Sequence, residues 1–534
     1  MKRPVVLLIL DGWGVAPPGP GNAISQAHTP HIDRLWRSYP HGILQASGEA
    51  VGLPQNEVGN TETGHLNMGA GHIVYQDLPR INMAIADGSF YKNEAFLQAI
   101  NHVRTNKSTL HIMGLIGSGG VHANNEHLYA LMRLCYEQRI EHVQFHLFTD
   151  GRDSLPTASP QFITAVEEEL KMRPVGRIAS IAGRYYAMDR DERWDRTGKV
   201  YNALTRGEAP TSPSAMEAIT ASHRQSITDE FIQPVLIAKA GEEKGLIKEN
   251  DAVIFYNFRI DRPRQLTKAF VLEDFDELTS RSKSASRTFL TLFNKPKGAF
   301  TRGPKLKNLF FITMTEYEKH LPVTIAFPPE VVKFPLGRVF ADRGMRQLRA
   351  AESEKERFVT FYFNGQREMP FVGEDHLIIQ SQQIATYDKA PEMRTREITQ
   401  GVIERIQQNS YDCVIVNFAA PDMVGHTGVL PAAITACSVA DECIGKLDQV
   451  IAQVGGYLII TADHGNCEEM LNPQTKTANT EHSGNPVPCI IVGPELEGKP
   501  RELPSGKLGD IAPTILSIME INLPVEMTGR NLLE

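Results

Sequence analysis

Three apolar runs in this chain are each followed by an aspartate. They are Val5–Leu10 with Asp11, Val414–Phe418 with Asp422, and Leu458–Thr461 with Asp463. Short apolar runs of this kind predict β-strands, and in an open α/β sheet ligands bind at the carboxyl ends of the strands. We therefore expect the three carboxylates to meet at one edge of a sheet and to form a reactive site there.

Three histidines lie close behind these aspartates in sequence, namely His426, His464 and His482. Asp422 and His426 would face the same side of a helical turn, because they are four positions apart. A single Asp or His at such a place is more often a helix cap, but capping does not explain an aspartate after each of three strands. Carboxylate and imidazole ligands without thiolate favour Mn²⁺, Mg²⁺ or Zn²⁺. The pattern predicts an enzyme with two divalent cations.

Thr61 lies in the glycine-flanked segment Gly59–His65, which looks like a loop that enters a helix. Two interpretations are open. Thr61 could be the N-cap of the helix, with Glu62 in the first turn complementing the helix dipole. Alternatively, its hydroxyl could be a nucleophile whose pKa is lowered by two cations, with the helix N-terminus holding phosphoryl oxygens. The spacing alone favours the N-cap.

Arginines follow several apparent strand ends in the middle of the chain. They are Arg152, Arg184, Arg190, Arg259 and Arg262. A guanidinium group recognises carboxylates and phosphates through two parallel hydrogen bonds. One such arginine is usually half of a surface ion pair, but five at one edge of a domain indicate a small polyanionic substrate. His122 and Asp153 lie beside them and are the candidates for acid–base chemistry.

The chain has 534 residues, of which 41% are apolar and 22% charged, as in ordinary globular proteins. Its net charge of −8 argues against nucleic-acid binding, and no run approaches the roughly 18 apolar residues of a membrane span. The N-terminal apolar run is shorter than the roughly 7–15 residues of a signal-peptide core. Scattered cysteines without CxxC spacing predict buried, reduced thiols. We expect a cytoplasmic, monomeric enzyme that acts on a small molecule.

The domain organisation follows from the need to bring Asp11 to the metal-site residues of the last third of the chain. Residues 1–75 and 327–534 are predicted to form one discontinuous domain, into which residues 76–326 insert as a second domain with its own alternating strands and helices. The Pro-rich stretch Ala326–Glu330 is typical of a linker. The Ser/Lys/Arg-rich tract from Ser280 to Thr301 is predicted to be an extra surface segment.

Long motifs along the chain resemble those of one enzyme family. They are Leu8–Gly14, Gly59–His65, Gly119–His122, Asp150–Asp153, Gly183–Arg190, Asn257–Arg262, Glu352–Lys355, Pro421–His426 and Thr461–Asn466. In this order, over nearly the whole chain, they are similar to the motifs of cofactor-independent (2,3-bisphosphoglycerate-independent) phosphoglycerate mutase, a member of the alkaline phosphatase superfamily. Motifs this long and this numerous are highly specific.

The resemblance implies an α/β fold, with an alkaline-phosphatase-like three-layer domain that binds metal and an inserted α/β transferase domain that binds substrate. It also implies interconversion of 3-phosphoglycerate and 2-phosphoglycerate in glycolysis and gluconeogenesis. Two Mn²⁺ ions would be required, with Mg²⁺ or Zn²⁺ as alternatives. One ion would be held by Asp422, His426 and His482, and the other by Asp11, Thr61, Asp463 and His464.

The resemblance further assigns roles in phosphoryl transfer. Thr61 would accept the phosphoryl group and return it to the other hydroxyl of a glycerate that stays bound. Asp153 would be the general base or acid at the glycerate hydroxyls, and Lys355 would neutralise charge during transfer. The substrate would be bound by His122, Arg152, Asp153, Arg184, Arg190, Arg259, Arg262 and Lys355.

The chain departs from the family pattern at a few positions. Thr61 stands where the family has serine, and it keeps the hydroxyl while adding a methyl that restricts χ1. Gly117 and Ser118 replace a Ser-Asp pair, Asn124 replaces a histidine, and His72 replaces an arginine. We therefore retain a nucleophilic role for Thr61 and leave its effect on rate and substrate open.

Rival functions are distinguished by particular features of the sequence. The main alternative is a related two-metal phosphomutase or phosphatase acting on another small phosphoester. The arginine set argues against a general phosphatase, which has little need to hold its dephosphorylated product. A sulfatase would need a Cys/Ser-x-Pro-x-Arg motif near the metal residues, and the lack of one there argues against this function. A catalytically dead binding protein would usually have lost metal ligands, whereas every expected ligand position is filled here.

Overall fold

The computed structural model describes residues 3–273, 275, 300–472 and 474–534. The chain forms two compact units. Unit 1 comprises Met1–Pro79 and Glu330–Glu534, and unit 2 comprises Arg80–Pro329. The middle of the chain is thus inserted into unit 1, and its second boundary falls within the Pro-rich stretch at 326–330. The boundaries expected from the sequence, after residues 75 and 326, lie a few positions earlier.

The strands of the described residues follow the apolar runs of the sequence. In chain order they are β1 Val5–Leu10, β2 His41–Gln45, β3 Leu110–Ile116, β4 Val143–Thr149, β5 Arg177–Gly183, β6 Thr211–Ser212, β7 Val235–Ile237, β8 Ala252–Phe255, β9 Phe310–Thr313, β10 Thr324–Ile325, β11 Gln347–Glu352, β12 Glu374–Ile379, β13 Cys413–Phe418, β14 Tyr457–Thr461, β15 Val487–Val492 and β16 Gly506–Lys507.

The α-helices of the described residues alternate with these strands. In chain order they are α1 Ala23–Gln26, α2 Pro30–Ser38, α3 Thr61–Ala70, α4 Asp77–Asp87, α5 Glu94–Asn106, α6 Asn125–Glu137, α7 Ser159–Met172, α8 Arg184–Ala187, α9 Trp194–Arg206, α10 Ala215–Arg224, α11 Arg264–Val271, α12 Leu336–Ala341, α13 Thr395–Gln407, α14 Ala420–Gly425, α15 Leu430–Gln453 and α16 Ile511–Ile518.

Unit 1 contains an eight-stranded sheet in the order β12-β11-β13-β1-β14-β15-β2-β16. The strands from β12 to β14 run parallel, whereas β15 is antiparallel to both of its neighbours. Every residue of β1 and β13 is buried, as expected for a parallel sheet with helices on both faces. One group of helices packs around α15 and another around α3. These layers confirm the predicted α/β fold class.

Unit 2 contains a second eight-stranded sheet, in the order β10-β9-β8-β3-β4-β5-β7-β6. The strands from β10 to β5 are parallel, so their carboxyl ends share one edge of the sheet. The polar motifs of the middle third that the sequence analysis placed after apparent strand ends follow β3, β4, β5 and β8. These four strands are neighbours in this sheet, which confirms the predicted second α/β unit.

Three further expectations concern the rest of the chain. All six cysteines are free and buried, which confirms the prediction of buried thiols. The tract predicted to be an extra surface segment, from Ser280 to Thr301, lies outside the described residues except for its last two positions. Within the described part of the chain, no helix has both the length and the apolar character that a membrane span requires.

Candidate active site

The carboxyl ends of β13, β1 and β14 bring the three predicted aspartates together in unit 1. The parallel register pairs Leu10 with Phe418 and Ile9 with Thr461, so the three strands end side by side. Asp11 follows β1 directly, and its backbone N–H donates to the carbonyl of Phe418 at 3.2 Å. Asp463 follows β14 and Asp422 lies in α14, just beyond β13. The side chains of Asp11, Asp422 and Asp463 are all buried.

Two glycines allow the backbone to pack closely around these aspartates. Gly12 has a φ of +74°, and a Cβ at that position would lie 2.8 Å from the Cα of Asp422. Gly64 lies in the first turn of α3, where a Cβ would be 2.6 Å from the carbonyl oxygen of Asp463. Only glycine fits at such distances without a backbone shift. The start of α3 is therefore pressed against the end of β14.

Thr61 is the first residue of α3, and Asn60 is its N-cap, with the Asn60 side chain accepting from the N–H of Thr63 at 2.9 Å. The interpretation of Thr61 as the N-cap, which the spacing favoured, is therefore wrong. The Asn60 side chain satisfies the capping requirement and leaves the Thr61 hydroxyl available for other contacts. Thr61 Oγ1 lies 2.9 Å from Nε2 of His464.

Lys355 joins this group from a short 3₁₀ turn, Ser353–Lys355, that follows β11. Its buried ammonium group donates to Asp11 Oδ1 at 2.8 Å, to Asp422 Oδ2 at 2.7 Å and to Thr61 Oγ1 at 3.1 Å. Burial alone would lower the pKa of Lys355, but the negative charges of Asp11 and Asp422 outweigh burial and raise this pKa. Lys355 is thus a permanent cation beside the Thr61 hydroxyl.

The three predicted histidines also lie in this cluster. His426 Nε2 and His482 Nε2 are each 3.3 Å from Asp422 Oδ1 and 3.1 Å from each other. The rings of His464 and His482 are stacked, with centroids 3.7 Å apart. His482 Nδ1 lies 2.9 Å from the carbonyl of Gly59, a geometry in which the backbone fixes the tautomer and leaves Nε2 for the cluster.

Among the residues that the structure describes, two overlapping sets of side chains could hold a metal ion. Asp11, Asp463 and His464 each offer a ligand atom within 4.8 Å of the others, and Asp422, His464 and His482 do the same. By distance alone, His464 belongs to both sets. His426 adjoins the second set through Asp422 and His482. The structure therefore brings together all seven predicted metal residues, including Thr61, but does not divide them between two ions as the resemblance implies.

The chemistry of the cluster fits divalent cations. Asp463 Oδ2 is buried and has no hydrogen-bond partner among the described residues, although a buried carboxylate oxygen normally has one. His65 Nδ1 and His464 Nε2 lie 3.4 and 3.5 Å from it. Three buried aspartates lie near a single lysine ammonium, that of Lys355, which contacts Asp11 and Asp422 and whose charge also acts on Asp463. Burial opposes protonation of His464, but the charges of Asp463, Asp11 and Asp422 raise its pKa to about 9. A site that pulls protons onto a buried imidazole would equally attract metal cations.

In unit 2, Arg184 and Asp150 form the buried part of a second polar cluster, and the partly exposed Asp153 adjoins them. Nη1 of Arg184 lies 2.5 Å from both Asp153 Oδ2 and Asp150 Oδ1. Asp150 also accepts from the backbone N–H groups of Arg152 and Asp153, which shapes the turn after β4. Burial alone would raise the pKa of Asp153, but the hydrogen bond and charge of Arg184 outweigh it and lower this pKa. Asp153 is thus held as a carboxylate.

His122 connects Asp153 to the loop after β8. Its Nε2 lies 3.8 Å from Asp153 Oδ2, and its Nδ1 lies 3.6 Å from Asp261 Oδ1. Its backbone carbonyl accepts from the N–H groups of Phe258 and Arg259 at 2.9 and 3.3 Å. Burial, followed by the charge of Arg184, lowers the pKa of His122 to about 4. The imidazole is therefore neutral at physiological pH.

The remaining predicted arginines surround the same cluster. Arg190 Nη1 and Arg259 Nε pair with Asp261 at 2.7 and 3.3 Å, and both side chains are about half exposed. Arg262 donates to the carbonyl of Met188 at 3.1 Å. Burial, together with the charges of Arg184, Arg190 and Arg152, lowers the pKa of Arg262. The five arginines therefore crowd one region of unit 2, as the sequence predicted.

Several polar residues of these clusters were not singled out from the sequence. Asn417 Nδ2 donates to Asp11 Oδ2 at 2.7 Å and lies 3.1 Å from Nε2 of His65, whose Nδ1 is 2.9 Å from the carbonyl of Thr61. Asn417 is a polar amide inside an apolar strand, and this pattern could have identified it from the sequence as a residue of the site. Asp150 and Asp261 stand inside motifs that were recognised for their arginines.

The comparisons with known proteins show which family the chain belongs to. The family model described as "BPG-independent PGAM N-terminus" matches residues 81–319, which lie within unit 2. The 2,3-bisphosphoglycerate-independent phosphoglycerate mutase of Chloroflexus aggregans is 48% identical over 538 residues, covering 99% of this chain and 98% of the relative. The chain belongs to the 2,3-bisphosphoglycerate-independent phosphoglycerate mutase family. The resemblance of its motifs to this family of isomerases is thereby confirmed.

Two further proteins illustrate the extent of the similarity. The enzyme of the same name from Moorella thermoacetica is 47% identical, covering 100% of this chain and 99% of the relative. A solved structure of Leishmania mexicana phosphoglycerate mutase is 28% identical, with a TM-score of 0.56, covering 99% of this chain and 97% of that one. The similarity to the mutase family thus extends over both units.

Proposed function

We propose that this protein interconverts 3-phosphoglycerate and 2-phosphoglycerate without 2,3-bisphosphoglycerate, through a phosphoryl group carried on Thr61. The observation that carries the proposal is the setting of the Thr61 hydroxyl. It is buried at the start of α3, 2.9 Å from His464 Nε2 and 3.1 Å from Lys355 Nζ. Nothing in a capping role accounts for these contacts. The names of the mutase relatives supply the substrate.

Unit 1 would hold two divalent cations. We assign Asp422, His426 and His482 to one and Asp11, Thr61, Asp463 and His464 to the other. Bound there, two cations supply Lewis acidity that stabilises both the attacking and the leaving oxygen of an in-line displacement. The oxygen and nitrogen donors are those that Mn²⁺, Mg²⁺ and Zn²⁺ accept. The Leishmania mexicana mutase was solved at low cobalt concentration, and cobalt is another metal that forms divalent cations.

The residues of unit 1 favour attack by Thr61 in three ways. The positive end of the α3 dipole faces the hydroxyl and the phosphoryl oxygens. Lys355 neutralises negative charge at Oγ1, because its ammonium lies in hydrogen-bond contact with that atom. His65 is 2.9 Å from the Thr61 carbonyl, which fixes the backbone of the nucleophile from behind. A nucleophile held in this way loses little freedom on reaching the transition state.

The transfer balances without a second phosphate donor. In the first step a bond forms between Thr61 Oγ1 and phosphorus as the ester bond from phosphorus to the glycerate oxygen breaks. Oγ1 gives up its proton, and the freed glycerate oxygen takes one up. In the return step the other glycerate hydroxyl attacks phosphorus and loses its proton to Asp153, whose lowered pKa keeps it ionised beforehand. The bond from phosphorus to Oγ1 breaks, and Oγ1 takes up a proton to balance the one that Asp153 releases.

Unit 2 would bind the glycerate. Arg184 is fixed by Asp150 and Asp153, whereas Arg190 and Arg259 are half exposed and share a single carboxylate, Asp261. Such guanidinium groups can turn to an incoming carboxylate or phosphate with two parallel hydrogen bonds. We assign Arg152, Arg262 and neutral His122 to the same function. Unit 1 is thus the metal-binding domain, and unit 2 the substrate-binding domain.

Turnover of 3-phosphoglycerate tests this proposal. Purified protein loaded with Mn²⁺ and free of 2,3-bisphosphoglycerate is mixed with 3-phosphoglycerate and enolase, and phosphoenolpyruvate formation is followed. We expect turnover that EDTA abolishes and Mn²⁺ restores. A failure of metal-loaded protein to convert either phosphoglycerate would refute the substrate. Undiminished activity after chelation would refute the metal site.

A further inference from the structure

Glu468 is a buried carboxylate that none of the proposed catalytic steps uses. It lies in the short 3₁₀ turn Cys467–Glu469 and is 3% exposed. Oε2 accepts from the backbone N–H groups of Gly14 and Asn466, both at 2.9 Å. Oε1 accepts from the Ser483 hydroxyl, and from Nδ2 of Asn485 at 2.9 Å. One side chain therefore binds donors from three separate segments of unit 1.

Each of these segments carries a proposed metal ligand. Gly14 lies three residues after Asp11, Asn466 two residues after His464, and Ser483 directly after His482. Glu468 thus joins the loop after β1, the loop after β14 and the loop of His482. The ligands themselves come from positions far apart in the chain. The His482 loop is also held by the bridge between Gly465 and Ser483, by His482 Nδ1 at 2.9 Å from the Gly59 carbonyl, and by the Ser47 hydroxyl, which donates to the Gly484 carbonyl at 2.9 Å.

Two glycines make room for this carboxylate. A Cβ on Gly14 would lie 2.2 Å from the carboxyl carbon of Glu468, and a Cβ on Gly465 would lie 2.4 Å from Oε1. Any larger residue at either position would expel the side chain. The glycines that follow the Asp11 and His464 motifs are therefore explained by the space that Glu468 occupies.

A carboxylate matches the groups around this position. Those groups are all hydrogen-bond donors, and the two carboxylate oxygens accept from them. Glutamine has nearly the same shape, but its NH₂ group would face either the two backbone N–H groups or the Ser483 and Asn485 donors. Buried donors left without an acceptor destabilise the arrangement, so the loops would move apart.

We propose that Glu468 is a positioning residue that sets the spacing of the metal ligands Asp11, His464 and His482. This inference rests on the metal site of the proposed function. Residues that orient metal ligands from behind typically change metal affinity by about 10–100-fold when they are replaced. A residue that only supports the fold would instead lower the melting temperature equally with and without metal.

The test compares Glu468→Gln with the parent by calorimetric titration with Mn²⁺ and by melting in EDTA and in Mn²⁺. We expect Mn²⁺ to bind the variant about 10–100-fold more weakly, and the rise in Tm on adding Mn²⁺ to shrink accordingly. Asp441→Asn is the matched control, because buried Asp441 accepts from two backbone N–H groups of α2 and joins no ligand loop. Its Mn²⁺ affinity should equal that of the parent.

The measured Mn²⁺ affinities of the variants and the parent decide whether Glu468 has this role. Parent-like Mn²⁺ affinity in Glu468→Gln would overturn the positioning role. If that variant does not fold, Ser483→Ala, which removes only one donor to Glu468, takes its place, and unchanged affinity there would overturn the role as well. Absence of Mn²⁺ binding by the parent would instead refute the metal site of the proposed function, and this inference with it.

Discussion

Thr61 Oγ1 and His464 Nε2 lie 2.9 Å apart, although 403 positions separate the two residues in the chain. The contact joins the first residue of α3 to the loop after β14. It depends on Gly64, where a Cβ would meet the carbonyl of Asp463 at 2.6 Å. The hydroxyl is therefore placed by close packing of helix and strand, and its aim does not rely on a flexible loop.

We expect Thr61→Ala to lower kcat at least roughly 1,000-fold, as removal of a covalent nucleophile does. Thr61→Ser should remain active, because the oxygen is kept and only a methyl is lost. Freed rotation about χ1 could then raise or lower kcat within a small range. Enolase-coupled turnover measures both variants, and Mn²⁺ titration shows that the Ala variant still binds metal through Asp11, Asp463 and His464.

Thr63→Ala is the matched control for these variants. Thr63 is buried in the same helical turn, but its hydroxyl bonds to Asn60 and not to the cluster. Its loss should cost about 0.5–1.5 kcal/mol of stability and leave kcat unchanged. If Thr61→Ala behaves like Thr63→Ala, the nucleophile is another residue.

Replacing Lys355 by glutamine should separate metal binding from catalysis. Without the ammonium group between Asp11 and Asp422, repulsion of divalent cations disappears and Mn²⁺ affinity should rise by roughly tenfold or more. The kcat should fall, since no permanent cation then lies beside Oγ1. Lys446→Gln, on the exposed face of α15, should change neither quantity. Weaker Mn²⁺ binding by the Lys355 variant would count against this electrostatic account.

Arg259→Ala and Arg262→Ala should impair substrate use far more than folding. Loss of a charge-assisted hydrogen bond costs about 1.5–3 kcal/mol, or roughly ten- to a hundred-fold in kcat/KM. Arg133→Ala is the control. Among the described residues, the ion-pair partner of Arg133 is the exposed Glu137, so its loss should not affect substrate use. Full kcat/KM in both variants, with unchanged Tm, would place the substrate site elsewhere.

His127 predicts a measurable acid sensitivity of unit 2. Burial lowers its pKa to about 3, whereas an unfolded histidine titrates near pH 6.5. The unfolded chain therefore binds a proton that the folded chain does not, and stability falls as the pH drops below about 6.5. His127→Gln can keep the bond to Asn82 without titrating.

Urea unfolding of the parent and of His127→Gln at pH 7.5 and 4.5 measures this effect. The parent should lose on the order of 2–3 kcal/mol more of its free energy of unfolding between the two pH values than the variant loses. Contributions of carboxylates are common to both proteins and cancel in the difference. An equal loss in both proteins would show that His127 is protonated in the folded state.

The sequence predicted the strand ends and the aspartates well because both are local features. An apolar run such as Val5–Leu10 ends at a polar residue whether or not its partners are known, and parallel pairing then aligns the ends. The motif resemblance added Lys355, which no spacing argument could place. The insertion of the middle of the chain into unit 1 was also predictable, because Asp11 and Asp463 must meet although they lie near opposite ends of the chain.

Other parts of the site could not be read from the sequence because they depend on packing over long distances. Spacing alone favoured Thr61 as the N-cap, and this interpretation is wrong, because Asn60 is the N-cap. Thr61 and Asn60 are both residue types that cap helices well, and only the backbone conformation separates them. Glu468 looks like one acidic loop residue among many until its four donors are seen. The division of ligands between two ions depends on His464, which lies close to both sets.

The most direct test of the account is peptide mass spectrometry of metal-loaded protein quenched during turnover of 3-phosphoglycerate. We predict a phosphate on the peptide that contains Thr61, localised to that residue, and its absence after EDTA treatment. A fully active protein in which the phosphate is trapped on another residue would contradict the phospho-Thr61 intermediate.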